Sequence, residues 1–135
     1  MNAKLLAAYL RTEYRAADAI AQIGRRCAAV DALLQRLGAR HGAFVTAWNP
    51  CSRRLPPGWN ARMQARLRQA ARRQRCVAGE GRGRGWTESH LLLAGDPRRA
   101  AVLARRFRQN AIVTVSWRGP ARLRWLQHHH GAWHP

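Results

Sequence analysis

The sequence predicts an α+β (mixed α/β) fold. It should form a single small domain in which a mixed β-sheet is covered by about three helices. Two observations carry this prediction. Apolar stripes at helical spacing alternate along the chain with short β-prone runs that end at glycine or proline. The chain has 135 residues, of which 47% are hydrophobic, and this suits one domain with its own core. Residues 1–127 are therefore predicted to form a single globular domain, followed by a frayed tail over 128–135.

The first forty residues predict helix, strand and helix in turn. Residues 3–10 have the pattern of a short helix, and residues 13–23 that of one or two short strands before the break at Gly24. Val30, Leu33 and Leu34 then recur at helical spacing, and Gly38 follows as a stop signal. This predicts a helix over residues 27–37.

The middle of the chain predicts a buried strand, a loop and a basic helix. Residues 43–48 are β-prone and end at the turn-forming pair Asn49-Pro50. Asn60 is a candidate N-cap for a helix that reaches about residue 74. Its expected buried stripe consists of Met63, Leu67 and Ala70.

The last third predicts a loop, a strand, a helix and a hairpin. Glycines alternate with charged residues over 79–85, which indicates a loop, and residues 86–94 form a strand pattern. Asp96-Pro97 is a strong helix start, with Leu103, Ala104 and Phe107 as the buried stripe. Two closing strands, 111–115 and 122–126, flank the turn at 118–120.

Charge is the dominant compositional feature. The formal net charge is +19, because 25 basic residues face only six acidic ones, and Lys4 is the single lysine. Guanidinium groups fork onto phosphates and stack on bases, so this excess predicts a nucleic acid or other polyanion as partner. The high ratio of arginine to lysine also fits a bias in genome composition. The expected contact residues are Arg53, Arg54, Arg62, Arg66, Arg68, Arg72, Arg73, Arg75, Arg82 and Arg84.

Several functional classes find no support in the sequence. No apolar run is long enough to span a membrane and no leader pattern opens the chain, so we expect a cytoplasmic protein. Three cysteines about 24 residues apart suit neither a disulfide framework nor a zinc site and are expected to be reduced. The histidines at 128–130 and 134 lie in the tail and are expected to be solvated. No metal or cofactor is therefore predicted.

Several short words along the chain carry a family resemblance. They are T-A-W-N-P at 46–50, W-x-E-S at 86–89 and Q-N-A-I at 109–112, with Asn60 between the first two. Over about residues 5–126 the chain resembles a small bacterial family catalogued as a domain of unknown function, which implies no established activity. Thr87, Trp59 and Arg108 depart from the family pattern, where two acids and a glycine are expected.

The same words hold most of the polar side chains that would converge on a pocket if the strand ends meet. Such a pocket would bind a small polar ligand or nucleotide through a carboxylate, several amides and two tryptophans. Each also has a structural interpretation, as a turn, a helix cap or an ion-pair partner. The candidate pocket residues are Thr46, Trp48, Asn49, Ser52, Asn60, Trp86, Glu88, Ser89, Gln109 and Asn110.

Catalytic patterns are weaker. Ser52, Ser89 and Cys51 have no neighbouring base that would activate them, and the glycine run is not followed by the Gly-Lys-Ser/Thr of a phosphate-binding loop. Enzymatic activity is thus not predicted, although it stays open for the pocket. Three functions remain: a nucleic-acid-binding module, with RNA ahead of DNA; a ligand pocket; and an interaction protein with an acidic protein partner.

Overall fold

The computed structural model describes residues 3–126 and contains four helices and seven strands. The helices are α1 (Ala3–Arg11), α2 (Ala28–Arg36), α3 (Pro57–Ala70) and α4 (Pro97–Arg106). The strands are β1 (Glu13–Ala16), β2 (Ala19–Ala21), β3 (His41–Val45), β4 (Cys76–Gly83), β5 (Trp86–Ala94), β6 (Ala111–Ser116) and β7 (Arg122–Trp125). The predicted α+β class is confirmed.

All seven strands form one sheet in the order β2-β1-β4-β5-β3-β6-β7. Every ladder between neighbouring strands in this order is antiparallel, so the sheet is antiparallel rather than mixed. The helical crossover from β3 to β4, through α3, brings the chain back beside β5. The long β4–β5 hairpin at the centre of the sheet pairs eight residues of each strand, from Cys76 opposite Leu93 to Gly83 opposite Trp86.

Each face of the sheet has its own core. One face, with Phe44, Leu92 and Val113, packs against α2 through Leu33 and Leu34. The other face, with Val45, Leu91 and Leu93 among its residues, packs against α3 and α4. The buried stripe predicted for α4, Leu103, Ala104 and Phe107, is confirmed in this second core. Neighbouring residues of a strand therefore belong to opposite layers, as strand alternation requires.

The sheet curls until its two ends meet. Ile23, which follows β2, forms a parallel bridge with Ala121, which precedes β7. The Gly24 amide donates to the Ala121 carbonyl at 2.7 Å, and the Ala121 amide donates to the Arg25 carbonyl at 3.1 Å. The Tyr9 and Trp125 rings also meet edge to face, with centroids 5.5 Å apart. The curl gives the sheet a concave face.

Most of the glycine run predicted as a loop, residues 79–83, belongs instead to strand β4, and only Arg84 and Gly85 form a turn. Gly79, Gly81 and Gly83 alternate onto one face of the sheet, where neighbouring atoms occupy the space that a Cβ would need. A Cβ at Gly81 would lie 2.6 Å from Cε1 of His90, and a Cβ at Gly83 would collide with the Trp86 indole. The prediction was wrong because glycine was interpreted as a break, whereas here it allows close packing of side chains.

The start of the basic helix also differs from the prediction. Helix α3 begins at Pro57, with Pro56 as its N-cap, so Asn60 lies inside the first turn and is buried. Its inward stripe is partly polar, Asn60, Gln64, Leu67 and Ala71, with Met63 and Ala70 half-buried beside it. By contrast, the Asp96 carboxylate caps α4 by accepting from the Arg98 amide at 2.9 Å, as predicted.

Among residues 3–126, no helix is long and apolar enough to cross a membrane. The tail prediction for residues 128–135 lies outside the described residues.

Candidate functional site

A loop between β3 and α3 holds the word T-A-W-N-P and four of the ten candidate pocket residues, Thr46, Trp48, Asn49 and Ser52. We call residues 46–56 the strap. Thr46 begins it by donating its hydroxyl to the Ser89 carbonyl at 2.6 Å and by accepting from the Trp48 amide at 3.0 Å. Gln64 of α3 accepts from the Ala47 amide at 3.0 Å. These bonds fix the direction in which the chain leaves β3.

Two asparagines hold the centre of the strap. Asn60 donates to Asn49 Oδ1 at 2.8 Å and accepts from the Asn49 backbone amide at 3.0 Å. Asn49 Oδ1 also accepts from the Leu55 amide at 2.9 Å. Asn60 thus acts as a buried support for the strap, and this explains a polar residue on the inward stripe of α3.

The backbone around the strap is unusually strained. Asn49, Cys51 and Ser52 have φ of 46°, 54° and 61°, and Arg108 after α4 has φ of 58°. Such left-handed conformations are costly for residues other than glycine and persist where the surroundings over-determine them. The Cys51 amide donates to the Arg108 carbonyl at 2.6 Å, and Asn110 donates to Ser52 Oγ at 2.8 Å. The strained segments therefore support each other.

A cleft of about 180 Å³, lined by both polar and apolar side chains, opens beneath the strap on the concave face of the sheet. Glu88 of β5 lines it and accepts from Asn49 Nδ2 at 2.9 Å. Burial raises the pKa of the Glu88 carboxyl above its ordinary value, and the Asn49 hydrogen bond opposes that shift. The partner of Glu88 is thus an amide, not the arginine of the ion-pair interpretation.

His90 and two tyrosines form the floor and wall of the cleft. Burial lowers the pKa of His90 to about 4, so the ring is neutral at pH 7. Nδ1 lies 3.1 Å from the Glu88 carbonyl and, since a carbonyl only accepts, Nδ1 carries the proton and Nε2 is an acceptor. The Tyr14 ring meets the His90 ring edge on at 5.8 Å, and burial raises the pKa of both Tyr9 and Tyr14.

The structure brings seven of the ten predicted pocket residues together in this cleft: Thr46, Trp48, Asn49, Ser52, Trp86, Glu88 and Gln109. The other three have supporting positions. Asn60 is buried under the strap, Asn110 is bonded to Ser52, and Ser89 is exposed and bonds through its carbonyl. Gln109 lines the cleft and also ties it to the strap, donating to the Trp48 carbonyl at 3.1 Å.

Sequence reasoning missed Tyr9, Thr12, Tyr14 and His90 in the cleft lining. His90 follows Glu88 by two residues on a strand, so strand alternation could have placed both on one face. The tyrosines and Thr12 come from the N-terminal part of the chain, and their position follows from the strand order, which the sequence does not disclose. Trp48 completes the wall, and its buried Nε1–H has no acceptor among the described residues.

All ten predicted contact arginines are exposed. Eight of them lie on the strap, on α3 or in the turns that follow it, and we call this set the basic face: Arg53, Arg54, Arg62, Arg66, Arg68, Arg72, Arg73 and Arg75. The remaining two belong elsewhere. Arg82 lies on β4 and pairs with Glu80 at 3.7 Å, and Arg84 lies in the turn between β4 and β5.

The acidic residues are engaged away from the basic face. The four ion pairs of the described residues join Arg15 to Glu13, Arg36 to Asp18, Arg82 to Glu80 and Arg98 to Asp96. Asp31 accepts from the Arg118 amide, and Glu88 accepts from Asn49. Within residues 3–126, no acidic side chain therefore forms an ion pair with an arginine of the basic face.

The fold and the site define a small α+β protein with a curled antiparallel sheet, a strained strap and a cleft of mixed polar and apolar lining beneath it. Residues 45–112 match the model of the family described as "Protein of unknown function (DUF3293)", and the chain belongs to this family. The matched segment runs from the end of β3 to β6 and contains the strap and the basic face. Comparisons with curated proteins and with solved structures found no match.

Proposed function

We propose that this protein binds nucleic acid, RNA in preference to DNA, through arginine–phosphate contacts on its basic face. The observation that carries the proposal is the exposed arginine set on and around α3, none of which forms an ion pair with an acid within the described residues. Arginines that are not already paired can exchange their counterions for phosphates, and this exchange supplies most of the non-specific affinity for nucleic acid.

The arrangement favours structural recognition over base-sequence reading. Arg62 and Arg66 lie one helical turn apart on the exposed side of α3, and Arg73 follows in the turns after its end. With few acids to impose an orientation, such contacts position a backbone without selecting bases. RNA is preferred because its loops offer unpaired bases on which guanidinium planes stack.

The test is fluorescence anisotropy of nuclease-treated protein with structured RNA, duplex DNA and heparin across a salt series. We expect affinity to fall steeply with salt and to stay highest for RNA at about 0.15 M, where the Debye length is about 8 Å. A response that is flat with salt, or equal binding to all three polyanions, would contradict the proposal.

A matched pair of variants assigns the contacts to the basic face. The double variant R66A/R73A should lower the slope of log affinity against log salt by about 1.8 on a duplex, since each lost phosphate contact removes about 0.9. The control R26A/R40A removes the same charge from exposed positions at the two ends of α2. Equal losses in both doubles would mean that only the net charge matters.

A second candidate function rests on the cleft. The Glu88 carboxylate is desolvated and held by Asn49 at 2.9 Å, and His90 and Trp48 also line the cleft, the first with an acceptor at Nε2 and the second with a buried Nε1–H that has no acceptor among residues 3–126. We propose that this set suits a small polar ligand with N–H donors, such as a nucleobase. Screening nucleobases and nucleosides by shifts in melting temperature tests it, and E88Q should abolish any shift while leaving heparin binding unchanged.

A further inference from the structure

A second depression lies on the other side of the strap, between the start of α3 and the end of α4. Its walls are Pro50, Leu55 and Pro56 of the strap region, Trp59 and Met63 of α3, and Phe107 after α4. Its volume is about 630 Å³. We call it the Trp59 groove.

The Trp59 side chain gives this groove an exposed aromatic wall. It is 45% exposed, the most exposed tryptophan among residues 3–126, and the Arg62 guanidinium lies 5.9 Å from its centroid. An exposed indole beside guanidinium groups provides a flat stacking surface and a positive rim. Both are needed to hold an unpaired base and its phosphates.

The rim of the groove is positively charged throughout. Four arginines line it, Arg53, Arg62, Arg106 and Arg108, and none of the six acidic residues, all of which lie in the described part of the chain, is among the lining residues. Arg108 is placed there in a left-handed conformation, with φ of 58°, that glycine would adopt at lower cost. This electrostatic asymmetry selects an anionic occupant.

We infer that the Trp59 groove binds a single-stranded segment of nucleic acid, with one unpaired base stacked on Trp59 and the neighbouring phosphates held by Arg53, Arg62 and Arg106. The inference rests on the proposed function and names its substrate: unpaired strands rather than duplex. An acidic peptide would satisfy the arginines but would leave the exposed indole without a planar partner.

The experiment compares a short oligouridylate of roughly ten nucleotides with an abasic strand of equal length and charge. Wild-type protein should bind the oligouridylate about 10-fold more tightly, because stacking of one base contributes about 1–3 kcal/mol. W59A should lose this difference and bind both strands alike, whereas W59F should retain most of it. The salt dependence should be the same in all three proteins, since Trp59 carries no charge.

A matched control is present in the chain. Trp117 is also exposed, at 39%, with the Arg118 guanidinium 4.5 Å from its ring centroid. It follows the C-terminal end of β6, however, whereas Phe107 and Arg108 of the groove precede the start of that strand. W117A should therefore keep the full preference for bases. An equal loss in W117A and W59A would overturn the assignment to the groove.

The outcomes separate this inference from the proposed function. If W59A keeps the preference for bases while affinity still falls steeply with salt, the groove is not the stacking site but the basic face still binds phosphate. If wild-type protein binds neither strand, both proposals fail. If the W59A substitution weakens the binding of polyglutamate as strongly as the binding of oligouridylate, the groove serves an acidic protein partner and the inference is overturned.

Discussion

Some side chains of this protein stabilise the fold and also position the candidate site, and Asn60 is the clearest example. It is 2% exposed and holds the Asn49 amide, the Asn49 side chain and the Leu55 carbonyl. We expect N60A to lower the free energy of unfolding by about 2–3 kcal/mol, since it leaves buried polar groups without partners. Urea denaturation measures this effect.

Asn110 provides the control for that prediction. Its side chain donates to Ser52 Oγ from a half-exposed position. N110A should cost less than about 1 kcal/mol because water replaces the lost partner. Similar losses in both variants would show that the strap is not held mainly by Asn60.

Glu88 supplies a prediction about pH. Because burial raises its folded-state pKa, the folded protein binds the proton more tightly than the unfolded chain, and ionisation of Glu88 costs stability as pH rises through that value. E88Q keeps an acceptor oxygen for Asn49 without the charge. It should therefore be more stable than wild type at pH 7, with the advantage disappearing below the ordinary glutamate range near about 4.

Denaturation curves of both proteins at pH 7.5 and at about pH 4 measure this prediction. An E88Q variant that is less stable than wild type at neutral pH would mean that the Glu88 charge has a stabilising partner. Such an outcome would also weaken the case for the cleft, since a desolvated carboxylate is what marks it as a candidate binding site.

At the scale of elements, β4 shows what glycine contributes to the cleft. In G81A the new Cβ would lie 2.6 Å from the buried His90 ring, so the ring or the strand must shift. We expect a loss of about 2 kcal/mol in unfolding free energy. The control is G58A in the first turn of α3, where no atom lies within 4 Å and alanine should add about 0.5–1 kcal/mol. Thermal and urea unfolding test the opposite signs.

The elements also show how far the sequence predicts the fold. The start of α4 at Asp96-Pro97 and strand β5 over Trp86–Ala94 follow from local chemistry, and both are confirmed. Strand β4 was missed because the reason for its glycines lies in the His90 and Trp86 rings opposite, which sequence order does not reveal. Asn60 was misplaced for a similar reason, since its partners are in the strap.

The candidate site divides in the same way. The words T-A-W-N-P and W-x-E-S predict that Asn49 and Glu88 line the same pocket. In the structure, Asn49 Nδ2 donates to the Glu88 carboxylate at 2.9 Å. The tyrosines of the cleft could not be predicted, because they reach it only through the pairing of β1 with β4. Local signals identified the polar residues and the two tryptophans, and topology supplied the tyrosines.

For the whole molecule, the charge of +19 predicts how stability responds to ionic strength. Like charges repel within the compact state, and salt screens them over a Debye length that falls from about 30 Å at 0.01 M to about 10 Å at 0.1 M. Sodium chloride should therefore raise the melting temperature over this range. A fall would indicate that the few ion pairs outweigh the repulsion. Differential scanning fluorimetry is sufficient for this measurement.

The curl of the sheet has a consequence for the protein in its neutralised state. A polyanion that cancels the positive charge also removes the repulsion that keeps separate copies apart. Exposed strand edges could then pair with strands of other copies, because their backbone amides and carbonyls lack hydrogen-bond partners. Here the chain beside β2 and the chain beside β7 bond to each other at Gly24 and Ala121, so the two edges partly cover one another. Closure of the curl therefore leaves less unpaired strand edge on which a second copy could pair once the positive charge is neutralised.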